Sequence, residues 1–247
     1  MKKIIAVSLL SLISSAAMAS DNGFYVSAKM GTSVVQLSNQ KWETIEQSPY
    51  DYESHSSGSK NKAVFGGGLA FGYDLYDTTS LPIRAELDFS MRGKASSNYN
   101  IGRENITIPS GSLTSSDDVK NDVTLNTFMV NAYYDFKNET NFTPYVSVGL
   151  GMANIKHKAK YEYTEIQLPS NITDNNSFSK SKTSNNFAWS LGLGSQYKLN
   201  DNLSLDLSYR FLDAGKSTVS HYEDEQENKS KVKIRTNDVM FGVIYRF

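Results

Sequence analysis

Apolar and polar residues alternate in eight separate segments of this chain, with an apolar side chain at every second position. A period of two is typical of β-strands, in which successive side chains point to opposite faces of a sheet. The predicted strands are Gly23–Val35, Ala63–Leu75, Pro82–Lys94, Asp122–Phe136, Phe142–Lys158, Asn185–Leu199, Leu203–Lys216 and Ile234–Phe247. The pattern therefore predicts an all-β protein.

The connections between these strands are of two alternating kinds. Those after the second, fourth and sixth strands are short: Tyr76–Leu81, Lys137–Asn141 and Asn200–Asn202. Those after the first, third, fifth and seventh are long and polar: residues 36–62, 95–121, 159–184 and 217–233. Outer-membrane barrels have short periplasmic turns and longer extracellular loops. We therefore expect an eight-stranded antiparallel up-and-down transmembrane β-barrel over residues 20–247, with four long extracellular loops.

The two faces of each predicted strand differ in bulk as well as in polarity. In the seventh strand, leucines and aromatic residues share one face, and Asp206 and Arg210 lie on the other. The interior of an eight-stranded barrel is only just filled by side chains. The bulky apolar face is therefore expected to contact lipid. The polar face is expected to line the lumen, where glycines such as Gly72 and Gly194 leave room for the arginines.

Charged residues with the parity of the lumen form the first candidate site. They are Lys29, Arg84, Glu86, Asp88, Arg92, Asp206, Arg210 and Arg246. Charges removed from water must be paired or solvated. One interpretation is an ion-pair network that fills the barrel, with Arg84 and Arg210 paired to nearby acids on the third and seventh strands. The other is a gate or narrow conduction path, since a wide pore needs many more strands.

Both ends of the chain carry sorting patterns. Two lysines, the apolar stretch Ile4–Ile13 and the small residues at Ala17 and Ala19 predict a secretory signal peptide over residues 1–19. At the other end, apolar residues alternate up to a terminal aromatic: Val239, Phe241, Val243, Tyr245 and Phe247. A C-terminal Phe that closes such a strand resembles the assembly signal of bacterial outer-membrane barrels. This resemblance implies recognition by the barrel-assembly machinery.

Composition argues against several other functions. The chain has no cysteine, which excludes disulfides, thiolate metal sites and cysteine nucleophiles. A formal net charge of −1 lacks the basic excess of a nucleic-acid-binding protein. The three histidines, His55, His157 and His221, lie in different segments, and no pattern places a nucleophile and an acid beside any of them. We therefore expect no enzyme activity, no cofactor and no metal site.

Two rows of basic residues stand just beyond the predicted apolar faces. One row lies on the outward face of the fifth strand, and the other has outward parity before the eighth: Lys156, Lys158 and Lys160, and Lys229, Lys231, Lys233 and Arg235. Lys and Arg bind phosphate groups, and lipopolysaccharide phosphates lie at this depth of an outer leaflet. Both rows are candidate lipopolysaccharide contacts; the alternative is that they only keep the loops soluble.

Several strand motifs point to a family. They are AYYDFK at Ala132–Lys137, FTPY at Phe142–Tyr145, Lys156-His157, LSLDLSYRF at Leu203–Phe211 and IYRF at Ile244–Phe247. These stretches resemble the opacity-protein (Opa) family of outer-membrane adhesins and porin-like proteins, although the wider group of eight-stranded surface barrels shares them. The resemblance implies a four-loop barrel whose outer loops engage host receptors. It does not extend to the loops, and the fourth loop here is long and charged, whereas that family keeps it short.

Three functional hypotheses follow. The first is an adhesin whose loops contact a host receptor or matrix, since loops on a rigid scaffold commonly carry recognition and aromatic residues suit contact sites. The loop aromatics are Trp42, Tyr50, Tyr52, Tyr99, Tyr161 and Tyr163. The second is a small porin-like or gated diffusion channel with a charged lumen, and the third is a structural barrel. For each, we expect a monomer surrounded by outer-membrane lipid and lipopolysaccharide.

Overall fold

The computed structural model describes residues 23–47, 50–109, 111–223 and 226–247, so the predicted signal peptide lies outside the described residues. These described residues form ten strands and one short helix. The strands are β1 Phe24–Gln47, β2 Tyr50–Ser57, β3 Lys60–Asp74, β4 Ile83–Arg92, β5 Ala95–Ile108, β6 Gly111–Asp135, β7 Phe142–Leu168, β8 Ile172–Lys198, β9 Leu203–Glu223 and β10 Gln226–Arg246. The helix, α1, is a single turn at Tyr76–Thr79 between β3 and β4.

Eight of the strands form a closed ring. The order is β1-β3-β4-β6-β7-β8-β9-β10, and β10 pairs with β1 to complete it. All of these pairs are antiparallel, which confirms the predicted eight-stranded antiparallel barrel. The remaining two strands lie outside the ring, because β2 pairs only with the upper part of β1 and β5 pairs only with the upper part of β6.

The four segments predicted to be long extracellular loops are largely β-structure, so the strands extend beyond their predicted boundaries. β7 and β8 continue past the predicted loop boundaries and stay paired from Phe142–Tyr197 to Gln167–Ile172. β9 and β10 likewise stay paired up to Glu223 and Gln226. The extended β-structure at this end is called the extracellular wall below. At about 3.3 Å per residue, the part of β7 beyond Met152 is about 50 Å long.

Large apolar side chains are exposed around the lower part of the ring. On β7 they begin at Phe142 and end at Met152, a rise of about 25 Å for a tilted strand, which matches the apolar band of outer-membrane barrels. Aromatic rings gather at the short-turn end, where Phe24 lies 4.8 Å from Tyr73 and Phe142 lies 4.7 Å from Tyr197. Such a ring of aromatics is typical of a membrane interface. The band therefore marks the part of the barrel that lipid surrounds.

Candidate functional site

The lumen within the apolar band holds a cluster of ion pairs, called the ionic layer. Lys29 Nζ lies 2.8 Å from Glu86 Oε1 and 4.0 Å from Asp88 Oδ2. Arg210 Nη1 lies 3.0 Å from Asp88 Oδ1. β4 contributes both acids because its inward residues alternate with the outward Leu87. The ionic layer thus joins β1, β4 and β9 across the lumen.

Asp238 is a central acid of the ionic layer that the sequence analysis missed. Its Oδ2 lies 2.6 Å from Arg92 Nη2 and 3.4 Å from Arg210 Nε. Ser33 also donates a hydrogen bond of 2.5 Å to Asp238 Oδ1. Asp238 has the lumen parity of β10, opposite in parity to Val239, so the alternation itself could have identified it.

Arg84 does not pair with the acids that the sequence analysis named. It instead makes a bidentate pair with Asp135 of β6, at 2.7 Å and 2.9 Å. Its guanidinium carbon lies 4.4 Å from the centre of the Tyr133 ring and 5.2 Å from that of Tyr145. Tyr25 accepts a further hydrogen bond from Arg84 at 3.2 Å. A planar guanidinium suits this combination of a carboxylate fork and aromatic faces.

Two lumen glycines leave room for tyrosines rather than for arginines. A Cβ at Gly72 would collide with the ring of Tyr25, and a Cβ at Gly194 would collide with the hydroxyl of Tyr145. The Tyr145 hydroxyl donates to Asp206 at 2.8 Å. The partner of Asp206 is therefore a phenol and not an arginine. The glycines therefore allow the tyrosines around Arg84 to enter the narrow interior.

Arg246 lies near the periplasmic end of the lumen, away from the ionic layer. It donates to Ser204 Oγ at 2.8 Å and to Gln196 Oε1 at 2.6 Å. These partners are neutral, and no carboxylate of the described residues forms an ion pair with it. The eight predicted lumen charges all point inward. Six of them belong to one network, because the Tyr25 hydroxyl accepts from Arg84 and donates to Glu86 at 3.2 Å, whereas Asp206 and Arg246 lie apart from it.

A continuous layer of apolar side chains begins at the level of Asp88, with which Met129 pairs in register, extends above the ionic layer and is called the apolar layer. It consists of Val35, Leu37, Ala95, Val123, Leu125, Met129, Ala153, Ile155, Ala188, Leu212, Ala214, Val232 and Ile234, all buried. These residues come from β1, β5, β6, β7, β8, β9 and β10, so the layer crosses the whole lumen. An ion that entered the ionic layer would have to lose its hydration to pass it.

A small polar belt follows directly above the apolar layer. His157 Nε2 lies 3.0 Å from Asn121 Oδ1, which also accepts from Ser230 at 2.9 Å. Asn121 donates in turn to Gln40 Oε1 at 3.3 Å. Because His157 lies outside the apolar band and is fully buried, desolvation lowers its pKa to about 4. The partner of His157 is the neutral amide of Asn121 and not an acid, so this histidine lacks the orienting carboxylate of a hydrolytic site.

The top of the wall encloses a second core, called the aromatic cluster. Trp42 stacks on Tyr161 at 5.8 Å and lies 6.0 Å from Phe178. Tyr99 packs in the same cluster with several aliphatic residues, and burial raises the pKa of its hydroxyl to about 12. Trp42 and Tyr99 are only 4% and 8% exposed, so they hold the wall together and do not present a contact surface, contrary to expectation.

The exposed aromatics lie at a different place, on the outer face of the β2-β1-β10-β9 tip. Tyr52 pairs in register with Ile45, Ile45 with Glu227, and Glu227 with Tyr222. Residues paired in this way share one face of a sheet. Tyr50 is 76% exposed and Tyr222 is 66% exposed. Tyr50, Tyr52, Ile45 and Tyr222 are called the tyrosine tip. Tyr222 was not identified from the sequence, and Tyr163 lies elsewhere, donating to Glu165 at 2.6 Å.

Comparisons with known proteins fit this geometry. The family model described as "Outer membrane protein beta-barrel domain" matches residues 5–247. The chain belongs to this outer-membrane β-barrel family. Its location in the outer membrane follows, and the predicted resemblance to opacity proteins is consistent with it. Recognition of the C-terminal strand by the assembly machinery stays a prediction.

Individual relatives are also known. Outer membrane protein PagN of Salmonella typhimurium is 38% identical over 253 residues, which cover 100% of both chains. "Putative adhesin RC1281" of Rickettsia conorii is 28% identical over 162 residues, covering 65% of this chain and 58% of that protein. Among solved structures, Neisserial surface protein A aligns with a TM-score of 0.48 and 16% identity, over 91% of this chain and 97% of that one.

The two basic rows of this outer-membrane barrel begin at similar depths and differ in their partners. On β10, Arg235 and Lys233 lie 3.0 Å and 3.1 Å from Asp213, Lys231 lies 2.6 Å from Glu43, and Lys229 lies 2.8 Å from Glu227. All four predicted cations of that row are therefore already paired with a carboxylate.

The β7 row of the barrel is less compensated. Lys160 pairs with Glu162, whereas Lys156 and Lys158 are exposed and form no ion pair with any residue that the structure describes. Among the same residues, no three His, Asp or Glu side chains are arranged to hold a metal ion. No helix in the described ranges is long and apolar enough to cross a membrane.

Proposed function

We propose that this barrel is a non-enzymatic surface adhesin that binds a host or matrix partner through the tyrosine tip. The observation that carries the proposal is the extracellular wall, which extends far beyond the apolar band and has its own packed core. Closing an eight-stranded barrel requires no such structure. A rigid, ordered platform that holds exposed side chains is what a binding surface needs.

The tyrosine tip supplies the contact chemistry of this proposal. Tyr50 and Tyr52 of β2 are neighbours of Ile45 of β1, and Tyr222 of β9 lies on the same face, separated from Ile45 by Glu227 of β10. Exposed tyrosines combine a large apolar area with a hydroxyl and are enriched at binding hot spots. The name of the Rickettsia conorii relative, which includes the word adhesin, supports the same class of function.

The channel hypothesis receives less support from the geometry. A charged lumen suits conduction only if it continues to both ends of the barrel, and the apolar layer interrupts it with thirteen buried apolar side chains. The ionic layer is therefore better explained as the packing of the membrane-spanning part. The structural-barrel hypothesis offers no reason for a tall wall with exposed tyrosines.

Adhesion of bacteria that display designed variants tests the proposal. The full chain is expressed in a non-adherent Gram-negative strain, and bacteria bound to cultured epithelial cells and to matrix-coated wells are counted. The variant Tyr50→Ser/Tyr52→Ser/Tyr222→Ser should reduce adhesion about tenfold or more. A matched control is Ile172→Ser, which removes an exposed apolar side chain at the opposite β7–β8 tip.

Surface display and heat-resistant folding are measured for every variant, so that lost adhesion is not confused with lost protein. Unchanged adhesion of the triple tyrosine variant would contradict the role of the tyrosine tip. No adhesion of the parent chain to any of these surfaces would contradict the adhesin function itself.

A further inference from the structure

We propose that the outer face of β6 and β7, just above the apolar band, binds the phosphate groups of lipopolysaccharide in the surrounding leaflet. The site comprises Lys94, Lys120, Lys156 and Lys158, called the lysine face. It concerns the lipid around the barrel and not the adhesion partner, so it is independent of the proposed function.

The depth of the lysine face is set by a row of amides. Asn126, Asn154 and Asn185 pair in register across β6, β7 and β8, and Asn154 donates to Asn185 at 2.7 Å. The outward residues directly below this row are apolar, including Phe128 and Met152. The amide row therefore marks the upper boundary of the acyl chains, where the phosphates of lipopolysaccharide begin.

The lysines follow immediately above that boundary. Lys156 is the next outward residue of β7 after Asn154, and Lys158 follows it. Lys158 pairs in register with Asp122 of β6, and Lys160 pairs with Lys120, so the basic face spans both strands. Lys94 reaches the same place, with its Nζ 3.4 Å from Asp122 Oδ2. Four cations thus converge on an area one or two strands wide.

Local acids compensate this face only in part. Asp122 takes Lys94 as its partner, and Glu162 takes Lys160. Burial alone would raise the pKa of Asp122, but hydrogen bonds from Ser96 and Lys94 and the charge of Lys94 and Lys120 lower it, so Asp122 stays ionised. Neither Lys156 nor Lys158 forms an ion pair with a described carboxylate, because Asp122, which lies beside Lys158 in register, is paired with Lys94. Their positive charge is available to a phosphate group at the same height.

The basic row on β10 differs from the lysine face because carboxylates compensate its charge. Arg235 is the next outward residue above Asn237 on β10, as Lys156 is above Asn154 on β7, so the two rows begin at equivalent positions above the band. Arg235 and Lys233 share Asp213, and Lys231 has Glu43. A phosphate that approaches this wall must compete with carboxylates already in contact. Phosphate binding is therefore expected on the β7 side, although both rows were candidates from the sequence.

Binding of a defined lipid to the purified full-length barrel tests this assignment. The probe is bisphosphorylated Kdo2-lipid A, titrated into detergent-refolded protein, with the retained lipid counted by native mass spectrometry. Lys156→Gln/Lys158→Gln should weaken binding about 30-fold, which corresponds to roughly 1 kcal/mol for each lysine near an anionic surface. Adding Lys94→Gln/Lys120→Gln should weaken it further.

The matched control is Lys231→Gln/Lys233→Gln, which removes the same charge from the opposite wall and should weaken binding less than about threefold. Dephosphorylated lipid A should bind the parent and both variants equally weakly. Equal losses for the two double variants would overturn the site, because they would indicate a non-specific charge effect. Unchanged binding of the dephosphorylated lipid by the parent would also overturn it, since acyl chains would then account for the contact. Each variant is first checked for heat-resistant folding without lipid.

Discussion

Along β7, the membrane-spanning residues Val146, Val148 and Leu150 direct apolar side chains outward, whereas Ile155 and Ala159 direct them inward. The interior changes in the same way, from the ionic layer below to the apolar layer and the aromatic cluster above. The barrel thus has one polarity in the membrane and the opposite polarity outside it, although the same strands run through both regions.

The difference shows that the surrounding solvent determines which face is apolar. In the extracellular part, water surrounds the barrel, so burying apolar surface inside is favourable, at about 25 cal/mol per Å². In the lower part, lipid already provides an apolar environment for the outward face. The interior there gains little from apolar packing and is held by hydrogen bonds and ion pairs instead. Paired charges are therefore tolerated inside the membrane-spanning part, whereas in the extracellular part the surrounding water favours an apolar interior.

The largest effect is expected when one acid is removed from the ionic layer in the membrane-spanning part of the barrel. Asp238→Ala leaves Arg92 and Arg210 without their shared carboxylate in a closed interior. Breaking a buried ion pair on one side typically costs about 3–5 kcal/mol. We expect a loss of that size in the free energy of unfolding, measured by urea titration of the barrel in detergent.

A surface ion pair provides the control for Asp238. Asp201 lies 2.8 Å from Lys198 at a periplasmic turn and is almost fully exposed, so Asp201→Ala should leave the free energy of unfolding nearly unchanged. The double variant Arg92→Met/Asp238→Leu should regain part of the stability, because no charge is left unpaired. Equal small losses for Asp238→Ala and Asp201→Ala would show that the ionic layer does not stabilise the lower half.

A smaller effect is expected when a charge is introduced into the upper half by lowering the pH. Burial lowers the pKa of His157 to about 4, whereas the unfolded chain has the ordinary value near 6.5. Below pH 6.5 the unfolded state binds a proton that the folded state does not. Stability is therefore full above pH 6.5 and falls as the pH decreases towards 4. At pH 5 the expected loss is about 2 kcal/mol.

Hydrogen exchange of the β7 and β8 amides around His157, compared at pH 7.5 and pH 5, measures this loss after correction for the intrinsic exchange rate. The variant His157→Gln keeps an amide donor towards Asn121 and cannot be protonated in this range. Its protection should be independent of pH between 4 and 6.5. An equal decrease in both proteins would mean that another group is responsible.

The ring of eight strands and the inward position of residues such as Lys29 and Arg210 could be predicted, because alternation in a lipid-facing strand directly gives its two faces. The partners of those charges could not. Arg84 meets Asp135 and not Glu86, since strand tilt and register decide which inward residues share a level. Parity alone contains no such information.

The β-structure of the extracellular wall could not be predicted from the sequence. Polar stretches such as Ser179–Lys182 were interpreted as loop because they lack apolar alternation, yet they are strand, paired with Lys158 and its neighbours through the backbone. Trp42 was expected to be exposed because it lies in a polar segment. It is buried because apolar side chains turn inward once the strands leave the lipid, and the bulge between Ser38 and Lys41 resets the parity of β1 at this point.

The smallest expected effect concerns conduction, for which the charged ionic layer and the closed apolar layer have opposite consequences. Arg210 is a partly accessible cation of the ionic layer, and Arg210→Ala would widen the lower lumen. The apolar layer above remains intact, with Leu125 and Ile155 fully buried within it. In planar bilayers, we therefore expect neither the parent nor Arg210→Ala to show steady single-channel conductance, with a known porin as the positive control. Steady conductance that Arg210→Ala alters would mean that the apolar layer does not close the lumen, and the channel hypothesis would replace the closed barrel.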